Sequence, residues 1–263
     1  MKGFDMRVIS VSVDGIHQAG HRGLYDWLAG QDAEIICLQD LRARAYEIED
    51  LPEFQLDGYS AYFFDAFQEE SNGVAIYTRQ APKAVMFGFG LPSGEDMNGR
   101  YLQADFERLS VISLLAPSGG EGSTEQNAKM DFLKGLQNHL LKISRKRRDY
   151  IVCANLGIAH KDIDIENADR YRETPGFLAE ERQWLDQLYN DIGYADAFRT
   201  DNTDTDEFSW WPSGQLGEGD GWRTDTQFIS RQMSDRVEYA VIYKAKAFSS
   251  HAPVIVDYDL MDI

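Results

Sequence analysis

Cysteine is nearly absent from the chain: two residues in 263, Cys37 and Cys153, each inside an apolar segment. Two such residues make no disulfide framework and read as small buried side chains in a reducing cytosol. No apolar run reaches the roughly 18–20 residues that a membrane helix requires. The opening MKGFDMRVISVSV passes directly into a strand-like pattern, with neither the apolar segment nor the cleavage site of a secretory leader. Bases are in deficit too: 26 Lys and Arg against 44 Asp and Glu leave a net charge of −18. Proteins that hold nucleic acid unaided usually carry a broad basic footprint, because displaced counterions supply much of the affinity. The overall balance here excludes such a footprint. With no repeat, low-complexity tract or linker, residues 1–263 are expected to form one cytoplasmic domain.

What the chain does have is apolar residues, 43% of the total, with 12% aromatic. Short alternating or continuously apolar segments predict strands at 7–13, 34–38, 59–64, 73–77, 83–87, 101–106, 110–115, 150–153, 207–211, 226–229, 238–243 and 254–258. Three stretches have helical spacing. Residues 17–29 align Leu24, Trp27 and Leu28. Residues 125–144 align Met130, Leu133, Leu136, Leu140 and Ile143. Residues 178–191 align Leu178, Trp184, Leu185 and Leu188. Many strands and few helices predict two sheets packed face to face with helices outside.

Four segments occur in a telling order: ISVSVDGI (9–16), IICLQD (35–40), EERQWLDQLYNDIGYADAFR (180–199) leading into EFSWW (207–211), and SSHAPVIVDY (249–258). Together they resemble the exonuclease III and abasic-site endonuclease family. That resemblance implies an α/β fold, a DNase I-like four-layer sandwich of two mixed sheets flanked by helices. It also implies metal-dependent phosphodiester hydrolysis. Further segments, among them FQLDGY (54–59), GRYLQADF (99–106), RKRRDY (145–150), PGFLAEERQWLD (175–186) and HAPVIVDYD (251–259), resemble the catabolite repression control (Crc-type) branch of that superfamily. This branch implies a pseudoenzyme.

Followed position by position, the resemblance puts Ser12 where the family has an active-site Asn and Asp40 at its metal-binding Glu. Leu115 falls on the catalytic Tyr. The GDMN motif falls on Ala154, Asn155, Leu156 and Gly157, so Asn155 replaces a base-like Asp and Gly157 an Asn. Ser250 replaces a metal-holding Asp, and Asp225 and His251 are retained. An amide at 155 neither accepts a proton near neutral pH nor attracts a cation, Leu115 offers no hydroxyl, and one carboxylate makes a poor Mg²⁺ site. The expectation is therefore no catalytic residue, no bound metal or other cofactor, and an Asp225–His251 pair kept for structure. The alternative is a divergent Mg²⁺-dependent abasic-site endonuclease or 3′→5′ exonuclease. It would use Asp14, Asp40, Asp162 and Asp164 in a new geometry.

Lys142, Arg145, Lys146, Arg147 and Arg148 put five bases within seven residues of an acidic chain. One or two would serve the helix dipole; five predict a contact patch, with Arg223 and Arg231 as weaker members beside the catalytic rim. The Crc-type resemblance implies the occupants: the RNA chaperone Hfq and A-rich mRNA in a ternary complex that represses translation. Self-association stays open. Trp210 is expected in the core, and Trp211 and Trp222 are equally able to pack there or to stack on bases.

Overall fold

The computed structural model describes residues 6–68, 70–120 and 122–260. The strands in chain order are β1 (Met6–Ser12), β2 (Ile35–Gln39), β3 (Ser60–Phe64), β4 (Val74–Thr78), β5 (Ala84–Phe87) and β6 (Tyr101–Asp105). They continue with β7 (Leu109–Leu115), β8 (Asp149–Asn155), β9 (Tyr194–Asp196), β10 (Asp225–Ser230), β11 (Val237–Ile242) and β12 (Val254–Tyr258). The α-helices are α1 (Ile16–His21), α2 (Leu24–Ala29), α3 (Ala45–Ile48), α4 (Ser123–Ser144), α5 (Ala179–Gln187) and α6 (Ala197–Asp201). Two six-stranded sheets result, ordered β11-β12-β1-β2-β4-β3 and β5-β6-β7-β8-β10-β9. Each has a single parallel pair at its centre, β1–β2 and β7–β8, and antiparallel neighbours elsewhere. Parallel neighbours need a crossover; α1 and α2 supply one and α4 the other.

Central strands are apolar on both faces because both faces are covered. Val8, Ile35, Cys37, Ile151 and Cys153 point into the core between the sheets. Their neighbours Ile9, Val11, Ile36 and Leu38 turn outward under α1 and α2. On the other side Tyr150, Val152 and Ala154 meet Phe132, Leu133, Leu136 and Leu140 of α4. Burying each such side chain contributes about 1.5–3 kcal/mol, so α4 is held chiefly by this stripe. The layers run helix, sheet, sheet, helix, as expected. Polar side chains also tie the sheets together: Gln39 donates to Ser113 Oγ at 3.0 Å, and Gln227 donates to the carbonyls of Val8 at 3.1 Å and Val254 at 3.2 Å.

Three expectations change. The helix predicted over 17–29 is broken in two, because Gly23 adopts φ 82° and ends α1 before α2 starts. The helix over 178–191 is regular only to Gln187 and finishes in a wide turn, Leu188–Ile192, stopped by Gly193 at φ 103°. No strand forms at 207–211; the amides of Ser209 and Trp210 both donate to the carbonyl of Trp222, which pins this aromatic segment to a loop instead of a sheet. Among the described residues no helix is long and apolar enough to cross a membrane. Both cysteines are buried and unbonded.

Candidate active site

The parallel pair of each sheet ends at the same end of the sandwich, so Ser12, Gln39, Leu115 and Asn155 converge there. The antiparallel neighbours bring the start of β10 (Asp225 opposite Asn155) and the approach to β12 (His251) to the same place. These elements enclose a cleft of about 500 Å³, lined among others by Asp14, Asp40, Leu115, Asn155, Trp222 and His251. Asn155 bridges the sheets, donating from Nδ2 to Ser12 Oγ at 2.8 Å and accepting the Gly157 amide at 3.1 Å on Oδ1. Both ends of its side chain are thus committed to structure. Gly157 turns with φ 59°. Its carbonyl accepts from Lys129 Nζ at 2.9 Å, and that ammonium lies 2.8 Å from Glu181 Oε1 in a fully buried pair.

Asp225 and His251 form a buried dyad. Asp225 Oδ2 accepts Ser209 Oγ–H at 2.7 Å and lies 2.7 Å from His251 Nδ1, while the Ser209 hydroxyl receives the Thr224 and Asp225 amides at 3.1 Å each. With Nδ1 turned to the carboxylate, Nε2 faces the cleft, 4.0 Å from Asp14 Oδ1. Burial lowers the pKa of His251, but the charge and hydrogen bond of Asp225, helped by Asp14 and Asp40, outweigh it and raise the pKa overall. The imidazolium is thereby favoured. A cation on a fixed ring at the edge of a cleft suits a phosphoryl group gathering negative charge.

Opposite the ring lie Asp14 and Asp40. The amide of Ser250 donates to Asp14 Oδ2 at 2.9 Å, and the Ser250 hydroxyl bonds the same oxygen. Ser250 thus positions a carboxylate from 236 residues away. Arg42 Nη2 is 2.6 Å from Asp40 Oδ2 and 3.6 Å from Asp14 Oδ1. Eight non-glycine residues among those described have positive φ, and five of them line this cleft: Asp14, Asp40, Arg42, Glu70 and Asn72. Left-handed backbone costs about 1–2 kcal/mol per such residue. It persists here because the loops are laced together, Gly15 N to Asp40 O at 2.9 Å and Arg42 N to Asn72 O at 2.8 Å. Such concentration of strain is common where function needs a fixed geometry.

Ser12, Asp40, Leu115, Asn155, Gly157, Asp225, Ser250 and His251 therefore do assemble. Asp14 was foreseen in a carboxylate set that does not form. Asp162 is bound by Arg172 at 2.7 Å, away from the cleft. Asp164 is buried against Arg223 and Arg199, each at 2.8 Å; burial would raise its pKa, but the two guanidinium groups hold it well below the usual carboxylate range. The same network removes Arg223 from any contact surface, since it is buried and bound to both Asp164 and Asp196. Arg231 follows the far end of β10 and does not flank the cleft. Arg148 turns inward onto the carbonyls of Phe106 and Leu109, both at 2.9 Å. Lys142, Arg145, Lys146 and Arg147 are exposed. They too stand at the end opposite the cleft, because β8 runs from them to Asn155. Trp210, expected in the core, is only half-buried and lines the cleft; Trp222 is buried and lines it too, and Trp211 is in the core. Arg42, Arg100 and Lys129 also line the cleft and were not singled out from the sequence. Only the convergence of distant segments reveals them.

Residues 17–256 match the Endonuclease/Exonuclease/phosphatase family. The chain is 30% identical over 272 residues to exodeoxyribonuclease III of Haemophilus influenzae, covering 96% of this chain and 100% of that one. It is 28% identical over 253 residues to an exodeoxyribonuclease of Bacillus subtilis, covering 95% and 98%. The fold superposes on an AP endonuclease from Archaeoglobus fulgidus with a TM-score of 0.86 at 21% identity, covering 97% and 100%. These relatives overturn the expectation of a non-enzymatic repressor and of a pseudoenzyme, because proteins matching the chain from end to end are named as nucleases. With it goes the reason for expecting Hfq and A-rich mRNA.

Proposed function

Because this chain belongs to the Endonuclease/Exonuclease/phosphatase family, we propose that its cleft hydrolyses phosphodiester bonds of nucleic acid with a divalent cation, Mg²⁺ in the first instance. The reaction is of the abasic-site endonuclease or 3′→5′ exodeoxyribonuclease type. The observation that carries the reading is the buried Asp225–His251 dyad directed at a cleft whose facing wall holds the Asp14 and Asp40 carboxylates.

The donor set fits such an ion. Mg²⁺ is usually held by one or two carboxylates, its remaining positions filled by waters and substrate phosphate. Asp14 and Asp40 are two carboxylates close enough to share one cationic nitrogen of Arg42, which stands in for a positive charge between them. Among the described residues no group of three or more His, Cys, Asp or Glu side chains gathers at a single position, so the substrate would complete the shell. Bound there, the ion would supply Lewis-acid polarisation of the phosphate.

The protein's own groups do the rest. His251 Nε2, its protonated ring favoured by Asp225, donates to a phosphate oxygen as charge develops. Asp14 and Asp40 would hold the ion, and the Asn155 amide, bonded at both ends, cannot take the proton of an attacking water. With one proton acceptor fewer than the family resemblance implies, turnover is expected to be slow. Trp210 and Trp222, edge to face at 5.9 Å between ring centroids, give the cleft an aromatic wall against which a sugar or base packs. Two unbonded, buried cysteines suit a reducing cytoplasm.

The test is a substrate panel: duplex with one abasic site, duplex with recessed 3′ ends, and intact duplex, each with Mg²⁺ and with EDTA. Cleavage of one of the first two, abolished by EDTA, supports the reading. Inertness on all three overturns it.

A further inference from the structure

The proposed function puts a divalent ion at the Asp14–Asp40 pair, yet a guanidinium already reaches both carboxylates. Arg42 Nη2 touches Asp40 Oδ2 at 2.6 Å and lies 3.6 Å from Asp14 Oδ1. All three residues are held in left-handed backbone, at φ 50°, 59° and 50° for Asp14, Asp40 and Arg42, and the Asp40 and Arg42 loops are tied to their neighbours by backbone hydrogen bonds. The charges therefore meet because the chain is fixed. The guanidinium is the outermost of the three, with its side chain 46% exposed against 27% for Asp14 and 16% for Asp40. It can swing into solvent while the carboxylates, one clamped by Ser250, stay in place.

Resting on the proposed function, we propose that Arg42 is a tethered counter-cation that competes with the divalent ion for the Asp14–Asp40 pair and so sets the metal affinity of the cleft. Without metal, it neutralises two facing carboxylates. An arriving ion displaces it, and the freed guanidinium is then the nearest exposed cation to a phosphate in the cleft. Arg42 is a positioning residue, acting on the metal through the carboxylates.

Mn²⁺ binding to the full-length protein, followed by the EPR signal of free Mn²⁺, tests this without reference to turnover. Removing a unit positive charge a few ångströms from a divalent ion should tighten binding at least about tenfold in Arg42→Ala, even under nearly aqueous screening. Arg42→Gln, which keeps hydrogen-bonding capacity, should tighten it similarly. Arg42→Lys should stay near wild type. Adding Asp40→Asn to Arg42→Ala should abolish the gain. Circular dichroism confirms that each variant is folded. If Asp40→Asn weakens Mn²⁺ binding to the wild-type protein but neither Arg42→Ala nor Arg42→Gln strengthens it, the inference is overturned and the functional reading stands. If no variant binds Mn²⁺, both fail.

Discussion

Lys129 and Glu181 offer a sharp test of how the cleft floor is held. The two side chains are 1% and 0% exposed, with Nζ 2.8 Å from Oε1. Glu181 Oε2 accepts the amides of Gly176 at 2.7 Å and Leu178 at 3.1 Å, while Lys129 donates to the Gly157 carbonyl at 2.9 Å. Lys129→Met keeps most of the volume but strands a buried carboxylate, which costs about 3–5 kcal/mol. Glu181→Gln alone leaves a buried ammonium and should cost about as much. The double variant removes both charges while the Gln carbonyl still caps the two amides. It should therefore recover a large part of the loss, giving a coupling of about 1–3 kcal/mol. Urea unfolding at neutral pH measures all four proteins. For a chain of this length each kcal/mol is about 2–4 °C in the melting temperature, so the single variants should melt about 6–20 °C below wild type. A Lys129→Met cost under about 1 kcal/mol, or a double variant that merely sums the singles, would refute the argument that the pair acts as a unit.

Two other predictions concern regions away from the cleft. The pKa of His139 is pushed down from 6.5 to about 4, by burial first and then by Lys146 and Lys142. The fold therefore favours the neutral ring. Its contribution is complete above the unfolded value and is lost as pH falls from about 6.5 to about 4; it is about 2 kcal/mol after allowing for partial exposure. The stability advantage of wild type over His139→Gln should shrink across that window in urea titrations, and a difference independent of pH would contradict the assignment. Charge reversal of exposed Arg145 and Arg147 to Glu, at the end opposite the cleft, should move stability by less than about 1 kcal/mol. It should leave single-turnover cleavage unchanged; slowed chemistry would show that the cleft extends further than described.

The fold was legible in the sequence where one period dominates. The stripe Leu133, Leu136, Leu140 and Ile143 points the same way in α4 as the spacing predicts, and the two-sided apolar strands were found because burial on both faces leaves few polar positions. Spacing failed where single residues override it: Gly23 splits a helix, and Ser209 and Trp210 spend their amides on one loop carbonyl. In the site, motif positions such as Asn155 and His251 were legible because strand ends are copied by resemblance. Asp14 was grouped with Asp40, Asp162 and Asp164, but only Asp40 stands beside it, since its position depends on a left-handed turn and on Ser250 near the other end of the chain. Arg223 and Arg231 were misread because nearness to Asp225 in sequence says nothing of direction. One is consumed by buried carboxylates, and β10 carries the other to the opposite end.

The central claim is that the Asp225–His251 dyad acts on a phosphate in this cleft. The direct measurement is the single-turnover rate on an abasic-site duplex in Mg²⁺, comparing wild type with His251→Ala purified in the same way. Wild type should cleave, EDTA should stop it, and His251→Ala should lose at least about a hundredfold, the scale on which fixed charge-stabilising donors act. A rate that survives the substitution unchanged, or no cleavage by the folded wild-type protein, would contradict it.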